Sequence, residues 1–328
     1  MLRTRFTKLF GLDYPIMSAP MAMHSGGHLA AAVTKAGALG SFGGIQPERG
    51  ADWLRSEIAY IRSQTDRDFA VGFITHLIPV FRAMFDAALA ERVAVIAFSF
   101  ADPAPYVAAA KEAGARVVCQ VQSLKHAREA VGAGADVLIA QGNEAGGHTG
   151  TMNLLPLLVS VIDAYPEIPV LAAGGITSGR ALAAVLASGA DGAWLGTALL
   201  ATPECIEVTD AYKDAIVESA GEDTVYTSVL DVITVKMFGI PPWPDGIAER
   251  VRREPIVDQW AGREAELRAS PEVAVKQFTE GRAHGEPTVL MGQGAGMVKS
   301  VRPAADVVRE ICEDAERILR EGVPALLG

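Results

Sequence analysis

Alternation constrains this chain more than any other feature. Short, nearly continuous apolar runs are separated by Ala-rich stretches with apolar residues at helical spacing, the pattern of parallel strands covered on both faces by helices. Eight such runs occur, at 16–18, 39–42, 69–75, 93–98, 117–122, 137–140, 170–173 and 192–195. Seven amphipathic segments fall between them, at 28–36, 52–65, 81–90, 104–113, 124–133, 154–165 and 178–188. AAVTKAG, AAAKEAG, AREAVGAG and AAVLASG each close on a glycine, which takes the left-handed conformation at a helix end without steric cost. Short links such as GARVV, GADVL and GADGA then lead into the next strand. Eight βα units predict an α/β chain folded as a (β/α)₈ TIM barrel. A doubly wound sheet shares the alternation, but the count of eight and the placement of glycines after the late strands favour the barrel.

The rhythm stops near Pro203. From there to about Glu286 the chain is charged, helical in part (204–219, 255–267, 271–280) and interrupted by FGIPPWPDG. Apolar order returns with PTVLMGQGAGMV, and a last helix at 304–320 supplies the eighth outer helix. The expected organisation is therefore a barrel formed by 1–203 and 287–328, with 204–286 inserted after strand eight as a helical substrate or lid domain, because barrels commonly carry insertions at the catalytic face.

Charge and cysteine content narrow the partners. Asp plus Glu number 39 against 29 Lys plus Arg, a formal charge of −10. An acidic chain is a poor match for nucleic acid, whose affinity comes from Lys and Arg neutralising phosphates. No uncharged apolar run approaches the roughly 18 residues of a membrane helix, and the first residues do not resemble a signal peptide. Cys119, Cys205 and Cys312 are an odd, scattered set, which fits free buried thiols in a reducing cytoplasm. Cys119 falls inside a strand and the other two in helical stretches, so none is placed as a nucleophile. The oligomeric state is left open.

Barrel chemistry sits at the carboxyl ends of the strands. There the chain places SAPMAMHSGG, Thr75 with His76, Gln120 and Gln122, QGNEAGGHTG, GGITSG and GTALL. Gly174, Gly175, Gly196 and Thr197 follow strands seven and eight, the usual phosphate position. Glycines there let backbone amides approach the anion, and a helix N-terminus beyond adds about 0.3–1 kcal/mol. The same glycines would also serve as tight βα turns. In QGNEAGGHTG, His148 stands among small residues at the catalytic face. An unperturbed imidazole, with a pKa near 6.5, suits proton transfer at neutral pH, and Glu144 is better suited to holding the loop through backbone amides. His24 and His76 are secondary candidates to face the pocket. His28 starts a helix, and His126 and His284 belong on the surface. No His, Asp or Glu grouping has metal-ligand spacing, so no metal site is expected.

Six segments together are similar to the nitronate monooxygenase family: IMSAPMA at 16–22, LAAAVTKAGALGSFGG at 29–44, EAGGHTG at 144–150, LAAGGITSG at 171–179, WLGTALLATPEC at 194–205 and GQGAGMV at 292–298. DTVYTSVLDV and FGIPPWPDGI in the insertion resemble members of it too. The resemblance implies an FMN-dependent barrel oxidising alkyl nitronates or nitroalkanes with O₂ to carbonyl compounds and nitrite. It implies that Ala19, Pro20 and Met21 lie against the isoalloxazine, that Thr75, Gln120, Gly146 and Gln293 contribute to flavin binding, and that Gly174, Gly175, Gly196 and Thr197 hold the phosphate. His148 matches the family's active-site histidine. Gln120 and Phe73 depart from the pattern, where relatives often carry Lys and a small polar residue. NAD(P)H-dependent quinone reductases and enoyl-[acyl-carrier-protein] reductases share the same barrel motifs. A flavin-free phosphate-binding lyase or isomerase barrel is the rival of a different class, and a non-catalytic flavin-binding protein is the other.

Overall fold

The computed structural model describes residues 2–283, 288–322 and 324–326. His284 and the expected domain boundary at 286/287 lie outside the described residues. Strands β1 (Ile16–Ser18), β2 (Ser41–Gly43), β3 (Ala70–Ile74), β4 (Val95–Ser99), β5 (Arg116–Val121) and β6 (Val137–Gln141) follow one another with helices between them. A short β7 (Gly147–Thr149) leaves the sequence of barrel strands, which continues with β8 (Val170–Ala173) and β9 (Gly192–Leu195). The eight barrel strands form one parallel sheet in the order β1-β9-β8-β6-β5-β4-β3-β2. The ring is nearly closed by a parallel bridge between Met17 and Leu39, whose backbone bonds run from Leu39 N–H to the Ile16 carbonyl (2.9 Å) and from Ser18 N–H to the Leu39 carbonyl (3.0 Å).

Both faces of each strand are buried, which explains why the sequence runs are continuous rather than alternating. In β4, Val95 and Ala97 point into the barrel with Met17, Val118, Ile139 and Leu171, whereas Ile96 and Phe98 point out to the helix layer with Phe42, Phe73 and Phe85. A short helix, Arg5–Phe10, capped by the Thr4 side chain, places the fully buried Phe6 among the inward-facing residues. The helix Ala304–Arg317 packs on Gly179–Ala187 and Gly27–Lys35, completing the outer ring. Among the described residues no helix is long and apolar enough to cross a membrane.

The inserted segment carries helices Val229–Phe238, Pro255–Trp260, Glu264–Ala269 and Glu272–Ala283 around its own core of Leu230, Ile233, Val251, Val257, Leu267 and Phe278, while its opening helix, Asp210–Glu218, buries Tyr212, Ala215 and Ile216 in the core of the barrel. It differs from the sequence expectation in three respects. Its first helix starts at Asp210, where Thr209 caps it by accepting from Tyr212 N–H, so Cys205 lies in the preceding loop rather than in a helix. The stretch 255–267 is two helices, separated at Gly262 with φ +83°. Two strands, β10 (Thr224–Thr227) and β11 (Ala248–Arg252), pair antiparallel, and β11 pairs in turn with β7, so a three-stranded sheet ties the insertion to the loop after β6.

Candidate active site

The carboxyl ends of the barrel strands surround a cavity of about 220 Å³. Ala19, Pro20 and Met21 line it after β1, Phe73 from β3, Ser99 and Phe100 at the end of β4, Gln120 from β5 and Gln141 from β6. Ala145–His148, Gly174–Thr177, Gly196 and Thr197 come from the loops after β6, β8 and β9. Tyr212, Trp243, Leu290 and Gly294 cover it from the insertion and the returning chain. No Lys, Arg, Asp or Glu lines the cavity among the described residues.

One side of the cavity is built from glycine. Gly174 and Gly175 have φ of +113° and +69°, a backbone path that L side chains rarely adopt. A Cβ added at Gly196 would meet only Met21 Sδ (3.5 Å) and Ala19 Cβ (3.8 Å), so the missing side chain leaves room over the cavity. Among the described residues no acceptor takes the N–H of Gly175 or Thr197. Ser178 caps the helix Gly179–Ala187 by accepting from Ala181 N–H. Free amides, a nearby helix N-terminus and open space suit a phosphate.

His148 sits at the middle of β7, and its backbone is fixed before its side chain acts. Gln141 Nε2 donates to the His148 carbonyl (3.0 Å), Thr149 Oγ1 donates to the Gly142 carbonyl (3.1 Å), and Tyr226 Oη donates to the Thr149 carbonyl (3.0 Å). Glu144 accepts from Leu154 N–H at 3.0 Å and so pins the loop. The imidazole Nε2 is 2.6 Å from Asp231 Oδ1, and Nδ1 has no described protein partner. An ionised Asp231 can only accept, which places the proton on Nε2 and leaves Nδ1 as the lone-pair nitrogen. Trp243, from the loop 239–246, stacks on the imidazole with ring centroids 3.4 Å apart. Phe100 approaches both rings edge-on, at 6.1 Å from His148 and 5.2 Å from Trp243. Phe100 and Ala101 have φ of +62° and +80°, and such left-handed backbone in bulky residues persists only where surrounding packing enforces it.

The cavity gathers His148, Ala19, Pro20, Met21, Gln120, Gly146, Gly174, Gly175, Gly196 and Thr197. Thr75 and Gln293 do not line it. Thr75 begins a 3-10 turn and is 2% exposed, its buried Oγ1 without a partner among the described residues, and Gln293 is exposed on the turn Gln293–Met297. Gly294 reaches the cavity instead, its carbonyl held by Thr177 Oγ1 at 2.7 Å. His24 lines the cavity, donates from Nδ1 to the Ala22 carbonyl (3.0 Å), and is pushed toward the neutral form by burial. His76 lies behind Trp243, 4.8 Å ring to ring, with neither nitrogen partnered among the described residues and burial lowering its pKa to about 4. His28 is the second residue of its helix and stacks on Tyr60, and His126 is half-buried against Gln122. All three thiols are buried, which raises each to about 12 and leaves them unreactive.

Tyr212, Phe100, Asp231 and Glu249 were not singled out from the sequence. Asp231 and Glu249 become neighbours of His148 only through the pairing of β7 with β11 and the packing of Val229–Phe238, whereas Phe100 reaches it from the end of β4.

The sequence model of the nitronate monooxygenase family matches residues 3–77 and 78–314. A nitronate monooxygenase of Pseudomonas aeruginosa is 30% identical, over 94% of this chain and 98% of that protein. A (3aS,4S,5R,7aS)-5-hydroxy-7a-methyl-1-oxo-octahydro-1H-indene-4-carboxyl-CoA dehydrogenase of Mycobacterium tuberculosis is 36% identical over 70% of this chain. That match takes in 64% of the dehydrogenase, so the chain spans less than two thirds of its length. Among solved structures, FabK of Thermotoga maritima superposes with a TM-score of 0.84 and 31% identity, over 100% of this chain and 99% of that one.

Proposed function

This chain belongs to the nitronate monooxygenase family, a family of oxidoreductases, and on that premise we propose that it is an FMN-dependent monooxygenase converting alkyl nitronates, and nitroalkanes after deprotonation, to carbonyl compounds and nitrite with dioxygen. The observation that carries the reading is His148. Its Nε2 is committed to Asp231, its Nδ1 has no partner among the described residues, and it faces a cavity whose other side is a glycine cradle without side chains.

The residues present fit FMN. Gly174, Gly175, Gly196 and Thr197 would hold the phosphate through backbone amides. Ala19, Pro20 and Met21 would lie against the ring, Gly146 would let the loop approach it, and the Gln120 amide, 7% exposed and pointing at no described protein partner, would offer it a hydrogen bond. Bound FMN would supply the redox chemistry, taking electrons from the substrate and returning them to oxygen. Thr75 and Gln293 would act only indirectly, by shaping the turns beside the cavity.

The protein's own contribution is a proton and a dry, shaped space. For a nitroalkane, His148 Nδ1 removes the α-proton as general base. For a preformed nitronate it need only supply a hydrogen bond or positive charge to the anion, in a cavity that offers no Lys or Arg. Trp243, Phe100 and Tyr212 exclude water, which strengthens each polar contact inside. The insertion, described as far as Ala283, would form the substrate-side lid in this reading, and a cytoplasmic setting would keep the buried thiols reduced. Steady-state assays of nitrite release from a nitronate and from its nitroalkane test the assignment.

A second reading is a flavin-dependent NAD(P)H reductase on the same barrel. What favours it is the 36% identity to the octahydro-1H-indene-4-carboxyl-CoA dehydrogenase, an oxidoreductase not named as a monooxygenase. Mixing FMN-loaded protein with NADH or NADPH without oxygen separates the two. Rapid bleaching favours the reductase, and bleaching by a nitronate alone favours the monooxygenase.

A further inference from the structure

Behind His148 the chain buries two carboxyl groups that do not line the cavity. Asp231, in the first turn of Val229–Phe238, sets Oδ1 2.6 Å from Nε2. Glu249 stands directly opposite His148 in the pairing of β7 with β11, and its Oε2 is 4.0 Å from the same nitrogen. The two side chains are 9% and 4% exposed, and Asp231 Oδ2 and Glu249 Oε1 are buried without a hydrogen-bond partner among the described residues. Among the described residues their only ion-pair partner is His148. Arg250, the next residue on β11, turns to the opposite face and binds Asn143 and Thr224. The other titratable groups near the cluster are His76, Tyr212 and Tyr226. Burial favours the neutral form of each, lowering the imidazole and raising both phenols.

Two carboxyls this close, out of water and sharing one imidazole, cannot both ionise without a large penalty. The residue that keeps its charge is the one with a donor. Asp231 has Nε2–H and a helix N-terminus, whereas Glu249 has neither. Taking His148 as the proton acceptor of the function proposed above, we propose that Asp231 and Glu249 together hold a single negative charge, Asp231 ionised and Glu249 protonated, and so position His148 as a neutral base with Nδ1 free. The direction of Glu249's own equilibrium agrees, since burial and the Asp231 charge hold its carboxyl well above the usual range.

The charge count shows what this achieves. When substrate reacts, its C–H bond breaks, the electron pair stays on the substrate as the nitronate, and the proton goes to Nδ1. Nε2 keeps its proton, and the cluster passes from one net negative charge to none, with the imidazolium facing Asp231. With Glu249 ionised as well, the pair would hold an imidazolium before substrate arrived, and no base would remain. Asp231 and Glu249 are thus positioning residues acting through His148.

The test uses FMN-loaded wild type, Asp231→Asn and Glu249→Gln with two spectroscopic readouts and one kinetic one. At neutral pH the infrared spectrum of wild type is expected to contain a protonated-carboxyl band that Glu249→Gln removes. In ¹⁵N-histidine spectra His148 is expected as the Nε2–H tautomer, moving toward Nδ1–H in Asp231→Asn. Turnover of a nitroalkane is expected to fall at least 100-fold in Asp231→Asn and less than tenfold in Glu249→Gln, whose amide mimics the neutral acid. Absence of the carboxyl band, or equal kinetic losses in the two variants, overturns the proposal. If wild type turns over no nitroalkane, the assigned reaction fails, while the infrared and ¹⁵N readouts still decide the state of the pair.

Discussion

The imidazole of His148 and the indole of Trp243 lie face to face, with centroids 3.4 Å apart and ring planes 14° apart. Trp243 comes from a loop stiffened by Pro241, Pro242 and Pro244, so the indole is presented by a chain with little freedom to retreat. Its edges meet His76 and Phe100, which makes it the roof of the cavity as well as the neighbour of the proposed base.

Removing that roof has a defined consequence. Aromatic stacking is worth about 0.5–1.5 kcal/mol beyond area burial, and an imidazolium gains roughly 0.5–2 kcal/mol more over an indole. Trp243→Ala is expected to lower kcat/KM for a small nitronate about tenfold, while a bulkier nitronate loses less. Steady-state kinetics across a chain-length series measures this, and an equal loss for every substrate speaks against Trp243 as a wall of the substrate site.

His148→Asn separates the two roles given to the imidazole. Removing a general base typically costs about 10²–10⁴-fold, so nitroalkane turnover is expected to fall by that order and nitronate turnover much less. Nitrite release from both forms of one substrate is the measurement, and equal losses contradict the base assignment.

The barrel was legible because its signals are local. β1, β8 and β9 have the expected bounds, since each is a short apolar run flanked by Pro or Gly, and the glycine turns after β8 and β9 follow from the strand positions. The partners of His148 were not legible. Asp231 and Glu249 lie in a stretch without helical or strand periodicity long enough to read. TVYT and AERVR are only a few residues each, and what makes them strands is their pairing with each other and with β7, a tertiary event. The burial of Glu249 leaves no trace in the sequence, where it is one acidic residue beside Arg250. Trp243 was visible as a residue of an unusual loop, but the same prolines suit a rigid connector equally well.

Two buried groups give the stability opposite dependences on pH. His76 titrates near 4 when folded and near 6.5 when unfolded, so its contribution is present above about 6.5 and is lost as pH falls through about 4. Glu249 is raised, so its contribution is present below about 4.3, the usual carboxyl value, and is lost as pH rises toward its folded pKa. Thermal melts are expected to show His76→Phe gaining on wild type as pH drops from 7 to 4, and Glu249→Gln gaining as pH rises from 5. Curves parallel to wild type would show that neither group titrates as described.

The glycine cradle makes a prediction about FMN rather than catalysis. Gly196→Val adds methyl groups where a Cβ meets only ordinary contacts, so the fold is expected to survive with a melting temperature near that of wild type, while FMN affinity falls at least 100-fold. Gly175→Ala is different in kind. Its φ of +69° makes an L side chain cost about 1–2 kcal/mol in the protein itself. Calorimetry with and without FMN distinguishes lost affinity from lost stability.

FMN uptake is the most direct test of the whole account. Titrating FMN into the purified apoprotein, with flavin absorbance and fluorescence followed together, is predicted to show saturable binding of one FMN per chain with quenched emission. A protein that stays colourless after equilibration with excess FMN contradicts it.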